Sequence, residues 1–251
     1  MILADAFRRS EFGREDFTTN PSDIPVVAQF GAQNFKDFCE SAMLLEKYVD
    51  GIDLNCGCPQ KWAIKEEIGS YLMEHPQKVA EMVNAVKRNT NLCCSIKIRK
   101  CETEKGTIEM LKRAEAAGVD FITIHGRTRR QSNRQPVDLD TIKLVKDLAS
   151  VPVIANGGIF TLDDAKKVYD ITKVNGVMSA RGLLRNPALF TGCESTPIEC
   201  IERYVNLALK YGTPHFIFHH HLMYMFEGVM ENSGMHVIII FFACTLYSCL
   251  I

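Results

Sequence analysis

A small set of residues in this chain combines a reactive side chain with a revealing position. Cys58 lies in the string Asp53-Leu-Asn-Cys-Gly-Cys-Pro59, between Gly57 and Pro59. Glycine permits close backbone approach and proline stops a strand, so the thiol sits just past a strand end. A thiol fixed there is suited to act as acid, base or nucleophile; the alternative is a buried, inert cysteine. Cys56, two residues earlier, is hardly separable from it by sequence. Lys97, inside Ser-Ile-Lys-Ile-Arg, is a charge in an apolar strand. Buried without a partner it would be very costly, so it calls for an anion such as a cofactor, unless the strand is an exposed edge. His125 opens His-Gly-Arg-Thr128 at the next strand end, as a structural or a catalytic imidazole. Arg127, Arg129, Arg130 and Arg134 follow in one loop, either as a solvated face or as contacts for phosphates. Asn156-Gly157-Gly158 and Ala180-Arg181-Gly182 end two more strands. Paired glycine turns with one arginine suit a phosphate held by backbone N–H groups.

These residues need elements to position them. Apolar, β-branched runs at Val26–Phe30, Gly51–Asn55, Ser95–Arg99, Phe121–His125, Pro152–Asn156 and Gly176–Ala180 read as strands buried on both faces. Met1-Ile2-Leu3 reads as the end of another. Helical periodicity lies between them. Pro76 opens one helix, with Val79, Met82, Val83 and Val86 on its inner face. Ile108, Leu111, Ala114 and Ala117 mark a second, stopped by Gly118. Thr161 and Asp164 form the start of a third, with Leu162, Ala165, Val168 and Ile171 inward. Residues 197–232 read as two further helices, the first periodic at Ile198, Ile201, Val205 and Leu209, the second starting after Pro214.

Alternating strands and helices require a parallel sheet, either doubly wound or closed as a barrel. Gln29, Asn55, Lys97, His125, Asn156 and Arg181 come from six strands. One crevice of an open sheet cannot gather all six, whereas the C-terminal rim of a barrel can. The predicted fold is therefore an α/β, TIM (β/α)8-type barrel lacking its first β/α unit, plus a short C-terminal helical segment.

Composition is globular: 251 residues, 47% hydrophobic and 24% charged, with 29 basic against 30 acidic side chains. That excludes a disordered or collagenous chain. A net charge of −1 gives no global pull toward nucleic acid, so any such contact must be local. Ten cysteines include no C-x-x-C pair, which argues against a zinc knuckle or redox dithiol and for a reducing compartment. The last 17 residues, 235–251, carry no Asp, Glu, Lys or Arg. They are at the short limit for a membrane span, which needs about 17–25 residues.

Taken together, the strings resemble the dihydrouridine synthase family of flavin enzymes. The similar strings are Val27-Ala-Gln29, Asp53-Leu-Asn-Cys-Gly-Cys-Pro59, Ser95-Ile-Lys-Ile-Arg99, Ile124-His-Gly-Arg-Thr128, Pro152-Val-Ile-Ala-Asn-Gly157 and Gly176-Val-Met-Ser-Ala-Arg-Gly182. Asp16-Phe-Thr-Thr-Asn20, Asn55-Cys-Gly-Cys-Pro-Gln-Lys-Trp-Ala63 and His219-His-His-Leu-Met-Tyr-Met225 resemble its eukaryotic 20a/20b branch. The resemblance implies a barrel that binds FMN, a helical tRNA-binding domain, and NADPH or NADH as reductant. It implies Cys58 as catalytic acid. It implies flavin contacts at Gln29, Lys97, His125, Asn156, Gly157, Gly158, Ala180 and Arg181, and uracil contacts at Asn55 and Arg127. An ordinary thiol, with a pKa of about 8.5, is mostly protonated at neutral pH and can give a proton to C5 while hydride reaches C6.

On this reading residues 1–192 are the FMN-binding barrel, incomplete at its N-terminus. Residues 193–234 are a partial helical tRNA-binding domain and 235–251 an apolar divergent tail. Both ends read as those of a truncated isoform or gene model. The expected partners are tRNA and NAD(P)H, with no metal and no membrane, for a monomer in the cytoplasm or nucleus. Two alternatives stand beside it: an inactive, truncated RNA-binding remnant, and another FMN barrel of the dihydroorotate dehydrogenase type.

Overall fold

The computed structural model describes residues 1–15 and 17–233, so the reading of segment 235–251 lies outside the described residues. Seven parallel strands form one sheet in chain order: β1 (Ile2–Leu3), β2 (Val27–Gly31), β3 (Gly51–Cys56), β4 (Cys93–Arg99), β5 (Phe121–His125), β6 (Val153–Asn156) and β7 (Gly176–Met178). The order never reverses, so the sheet has no switch point of the doubly wound kind. It is the sequential β/α order of a TIM-barrel-type fold, as expected. Among the described residues β1 pairs with β2 alone and β7 with β6 alone, which leaves the sheet open. The strand beyond the six apolar runs is β1, the short one read from Met1-Ile2-Leu3.

The helices are α1 (Ala4–Arg9), α2 (Glu11–Arg14), α3 (Phe35–Leu45), α4 (Lys61–Lys65), α5 (Pro76–Asn89), α6 (Glu104–Ala116), α7 (Leu139–Leu148), α8 (Leu162–Thr172), α9 (Arg181–Arg185), α10 (Ile198–Tyr211) and α11 (His215–Ser233). In α5 the proline stands in the first turn, and Val79, Met82, Val83 and Val86 are buried as the periodicity predicts.

Two helices turn differently from their apolar pattern. In α6 the buried stripe is Thr107, Met110, Leu111 and Ala114, and Ile108 lies half-exposed. The Thr107 hydroxyl donates to Thr103 O (3.3 Å) and accepts from Cys101 N (3.0 Å), so a polar residue can take the buried place. In α8 Ala165 and Val168 are buried but Ile171 is 40% exposed; Thr172 is buried instead, its hydroxyl donating to Val168 O at 2.6 Å. Sequence periodicity ranks threonine as polar, and a hydroxyl bonded to the turn below it removes that distinction. The start of α8 is as read: Thr161 Oγ1 accepts from Asp164 N and Asp164 Oδ2 from Thr161 N, both at 3.0 Å.

The chain divides into two compact units. The first holds Met1–Gly157 and Val168–Met178, and with them the whole sheet; the second holds Gly158–Lys167 and the chain from Ser179 onward. In the second unit α10 and α11 share a small core of Ile201, Ala208, Phe218, Leu222, Met225 and Phe226. Among the described residues no helix is long and apolar enough to cross a membrane.

Strand register sorts the side chains of the first unit. Gln29 is level with Asp53 and Asp53 with Ser95. Asn55 is level with Lys97 and Lys97 with Thr123; Arg99 is level with His125 and His125 with Asn156. Because strand residues alternate between faces, all of these share one face. Phe30, Leu54, Cys56, Ile96, Ile98, Ile122 and Ile124 take the other and are buried.

Candidate active site

Asn55 shapes the turn that carries Cys58. Its Oδ1 accepts from Gly57 N at 3.0 Å and from Cys58 N at 2.9 Å, an Asx-type turn that ends β3. Behind the turn, Cys58 O accepts from Ser70 N (2.9 Å), and Gly69, at φ +64°, comes so close that an added Cβ would stand 2.9 Å from Cys58 Cβ. In front, Arg99 Nε donates to Gly57 O (2.8 Å), and another guanidinium nitrogen to Thr128 O (3.1 Å). The turn is thus held from β3, from β4 and from the loop after β5. Cys58 is half-buried there. Cys56 is fully buried on the apolar face, where burial pushes its thiol well above the ordinary range, with the nearby Asp53 charge adding to the effect. Structure therefore separates the two cysteines.

Lys97 is level with Asn55. Its ammonium forms no hydrogen bond or ion pair with any described residue. Burial lowers its pKa; Asp53 pulls it upward and Arg99 pushes it further down. Two strands on, His125 is buried beside Asn156, whose Nδ2 donates to Met178 O at 2.8 Å. Gly157 follows with φ +117°, and a Cβ there would come 3.1 Å from His125 Nε2. Gly157→Ala combines a left-handed backbone with this close approach, and is expected to lower stability by about 1–3 kcal/mol, read by thermal unfolding.

Arg127 is buried and its Nε donates to Gln135 O at 2.6 Å, closing its own loop. Of the other loop arginines, Arg129 pairs with Glu74 and Arg130 lies 3.9 Å from Glu102. Arg134 is exposed and makes no hydrogen bond or ion pair with a described residue. The charge of this loop is thus partly spoken for by acids. Asp138 closes the same region: its backbone N–H donates to Gly126 O, its carboxylate caps α7 at Thr141 N and it pairs with Lys100. Burial works to raise the Asp138 pKa, but the bonds from Lys100 and Thr141 win and bring it down to about 2. A depressed carboxylate stabilises above its unfolded pKa, near 3.8, and that stability is lost as pH falls through about 2. Asp138→Ala should therefore cost about 1–2 kcal/mol at pH 7 and little at pH 2, measured by urea unfolding at both.

In the second unit, Gly158 has φ +71° and Ala180 caps the short helix α9. The Arg181 guanidinium is exposed and lies 5.0 Å above the Phe160 ring, and Ser179 Oγ donates to Ile159 O at 2.8 Å. In the first unit the structure thus joins Gln29, Asn55 and Cys58 by direct or turn hydrogen bonds, with Lys97 level with Asn55, and His125, Asn156 and Gly157 form a second group. Sequence reasoning passed over Asp53, Ser95 and Arg99. Asp53 stands inside the string that carries Cys58, but its partners are 24 and 42 residues away and emerge only with the register. Among the described residues no group of three His, Cys, Asp or Glu is placed to hold a metal.

A family model described as dihydrouridine synthase (Dus) matches residues 1–248. The chain belongs to this family. A Homo sapiens protein named tRNA-dihydrouridine(20a/20b) synthase [NAD(P)+]-like is 46% identical over 241 residues, covering 94% of this chain and 76% of that protein. The tRNA-dihydrouridine(20a/20b) synthase [NAD(P)+] of Schizosaccharomyces pombe is 42% identical over 227 residues, covering 90% of this chain and 70% of that protein. Among solved structures, dihydroorotate dehydrogenase (DHODH) of Eimeria tenella in complex with ferulenol aligns with a TM-score of 0.53 at 14% identity, over 74% of this chain and 58% of that one. At that identity the likeness is one of fold alone. Membership in the dihydrouridine synthase family agrees with the resemblance carried by the strings around Cys58, Lys97 and His125.

Proposed function

We propose that this dihydrouridine synthase family member reduces uridine to 5,6-dihydrouridine in tRNA, with FMN as bound cofactor and NAD(P)H as reductant. The observation that carries the reading is the juxtaposition of Lys97, a half-buried ammonium without a bonded anion, with the Asn55-held turn of Cys58. A half-buried cation of this kind, partly stripped of water and without an anion of its own, fits the electron-rich edge of a flavin. Gln29, Lys97, His125, Asn156 and Gly157 of the first unit are the proposed flavin contacts. Gly158, Ala180 and Arg181 of the second unit are proposed for a phosphate.

FMN, when bound, supplies the hydride for C6 of uracil, with electrons drawn from NAD(P)H. Cys58 gives its proton to C5, and the thiolate left behind is reprotonated from solvent. Arg99 holds the turn that carries the thiol, its Nε donating to Gly57 O at 2.8 Å. Asn55 and Arg127 are proposed to handle the uracil, which leaves the base stack to reach them.

The test is a titration of the purified full chain with FMN, followed by dihydrouridine assay on unmodified tRNA with NADPH and with NADH. A saturable flavin signal and dihydrouridine formation are expected. Flavin binding without any dihydrouridine on tRNA would overturn the substrate; no flavin binding would leave an inactive RNA-binding remnant as the better reading.

A further inference from the structure

A chain of hydrogen bonds runs from the interior to the Cys58 turn. Asp53 is 6% exposed and its carboxylate accepts from two side chains, Ser95 Oγ at 2.6 Å and Gln29 Nε2 at 2.8 Å. Gln29 Oε1 in turn accepts from Asn55 Nδ2 at 2.8 Å. Asn55 Oδ1 accepts from the N–H groups of Gly57 and Cys58.

The two ends of this relay cannot be reversed. A backbone N–H can only donate, and the Asp53 carboxyl, whose pKa burial raises while the bonds from Ser95 and Gln29 and the Lys97 charge pull it down, accepts both of its side-chain bonds. Asn55 must therefore turn its oxygen toward Cys58, which leaves its nitrogen facing Gln29. Gln29 must then turn its oxygen toward Asn55 and its nitrogen toward Asp53. Flipping either amide would set donor against donor at about 2.9 Å, with unpaired groups in a half-buried site. Both acceptor positions of Asn55 Oδ1 are used, and each amide keeps one N–H.

We infer that Asp53 is a positioning residue for the proton donor: through Gln29 and Asn55 it fixes the orientation of both amides and so the geometry of the turn that aims Cys58. This rests on the proposed role of Cys58. The relay itself is independent of that role, because it makes a claim about backbone N–H groups. Asp53→Ala removes the acceptor that orients Gln29. Asp53→Asn keeps it: the Asn oxygen accepts from Gln29 and its nitrogen donates to the Ser95 hydroxyl, and no other arrangement satisfies the chain. The relay thus depends on an acceptor at this point and not on charge.

The test is hydrogen exchange of the Gly57 and Cys58 amides in the full chain, read beside steady-state kinetics on tRNA. In Asp53→Ala those amides are expected to exchange about tenfold faster or more, while amides of β5 keep their rate. Asp53→Asn is expected to stay within about twofold of the wild type. The kcat for dihydrouridine should fall about tenfold to a hundredfold in Asp53→Ala, with KM for tRNA unchanged, as for a misaligned group. Unchanged exchange in a folded Asp53→Ala overturns the relay. So does an Asp53→Asn that exchanges as fast as Asp53→Ala, since charge would then be the cause. Faster exchange with an unchanged kcat overturns the positioning role. Faster exchange in a chain that reduces no uridine keeps the relay and overturns the proposed function instead. If Asp53→Ala does not fold, Gln29→Met cuts the relay in its middle, and the same rise in exchange is required of it.

Discussion

Cys58→Ala is expected to lower the rate of dihydrouridine formation by about a thousandfold, while FMN binding and NAD(P)H oxidation continue. A positioned general acid contributes about 10²–10⁴ in rate, and alanine has no proton to give. The turn should survive the change, because Asn55 and Arg99 hold it by backbone atoms of Gly57 and Cys58 and not by the thiol. Mass spectrometry of nucleosides from treated tRNA measures the product, and stopped-flow absorbance measures cofactor reduction separately. Normal dihydrouridine formation by Cys58→Ala would remove the thiol from the mechanism. Cys56→Ala is the matched control. It empties a buried position on the apolar face, costs about 1 kcal/mol of stability, and leaves the rate unchanged.

Lys97→Met should weaken FMN binding by about a hundredfold, ~2.7 kcal/mol. Hydrogen bonds to charged groups contribute about 1.5–3 kcal/mol, more than neutral ones. Methionine keeps the length and apolar stem of lysine, so the loss isolates the ammonium. Burial already disfavours that charge, and among the described residues Asp53 attracts it without bonding to it, so an anionic ring edge would supply a bonded partner. Titration of flavin fluorescence against each protein gives the comparison. Equal affinity in the two would place Lys97 outside the flavin site. The loss should persist at high salt, where surface contacts are screened and buried ones are much less so.

Much of this was legible in the residues. Parallel strands buried on both faces read as continuous β-branched runs, and six of the seven strands stood out that way. The other, Ile2–Leu3, read only as the end of a strand; it is too short to carry a pattern of its own, and pairing with Phe30 and Gly31 makes it one. Helix existence was legible and helix rotation was not. Thr107 and Thr172 took buried positions that apolar periodicity assigns elsewhere, because their hydroxyls bond to nearby backbone. At the site, a glycine and a proline marked where the Cys58 turn must be. They could not say which cysteine faced outward, since that depends on where β3 stops. Asp53 was the least legible: an acid in an apolar strand announces that it needs partners, but Gln29 and Ser95 are identified only by register.

The sorting of the sheet into one reactive face and one packed face has an evolutionary consequence. Lys97 and Arg99 belong to the first face, and Ile96 and Ile98 to the second. Selection for chemistry and selection for folding therefore act on alternate codons of the same short stretch of gene. Point substitutions can explore a new substrate at one set of positions without disturbing the other. A single-codon insertion has no such freedom. It would exchange the two sets along the rest of the strand, turning Ile98 toward the ligand and a cation into the packed layer. Variation in this family's strands should accordingly come as replacements, and changes in length should collect in the loops between them.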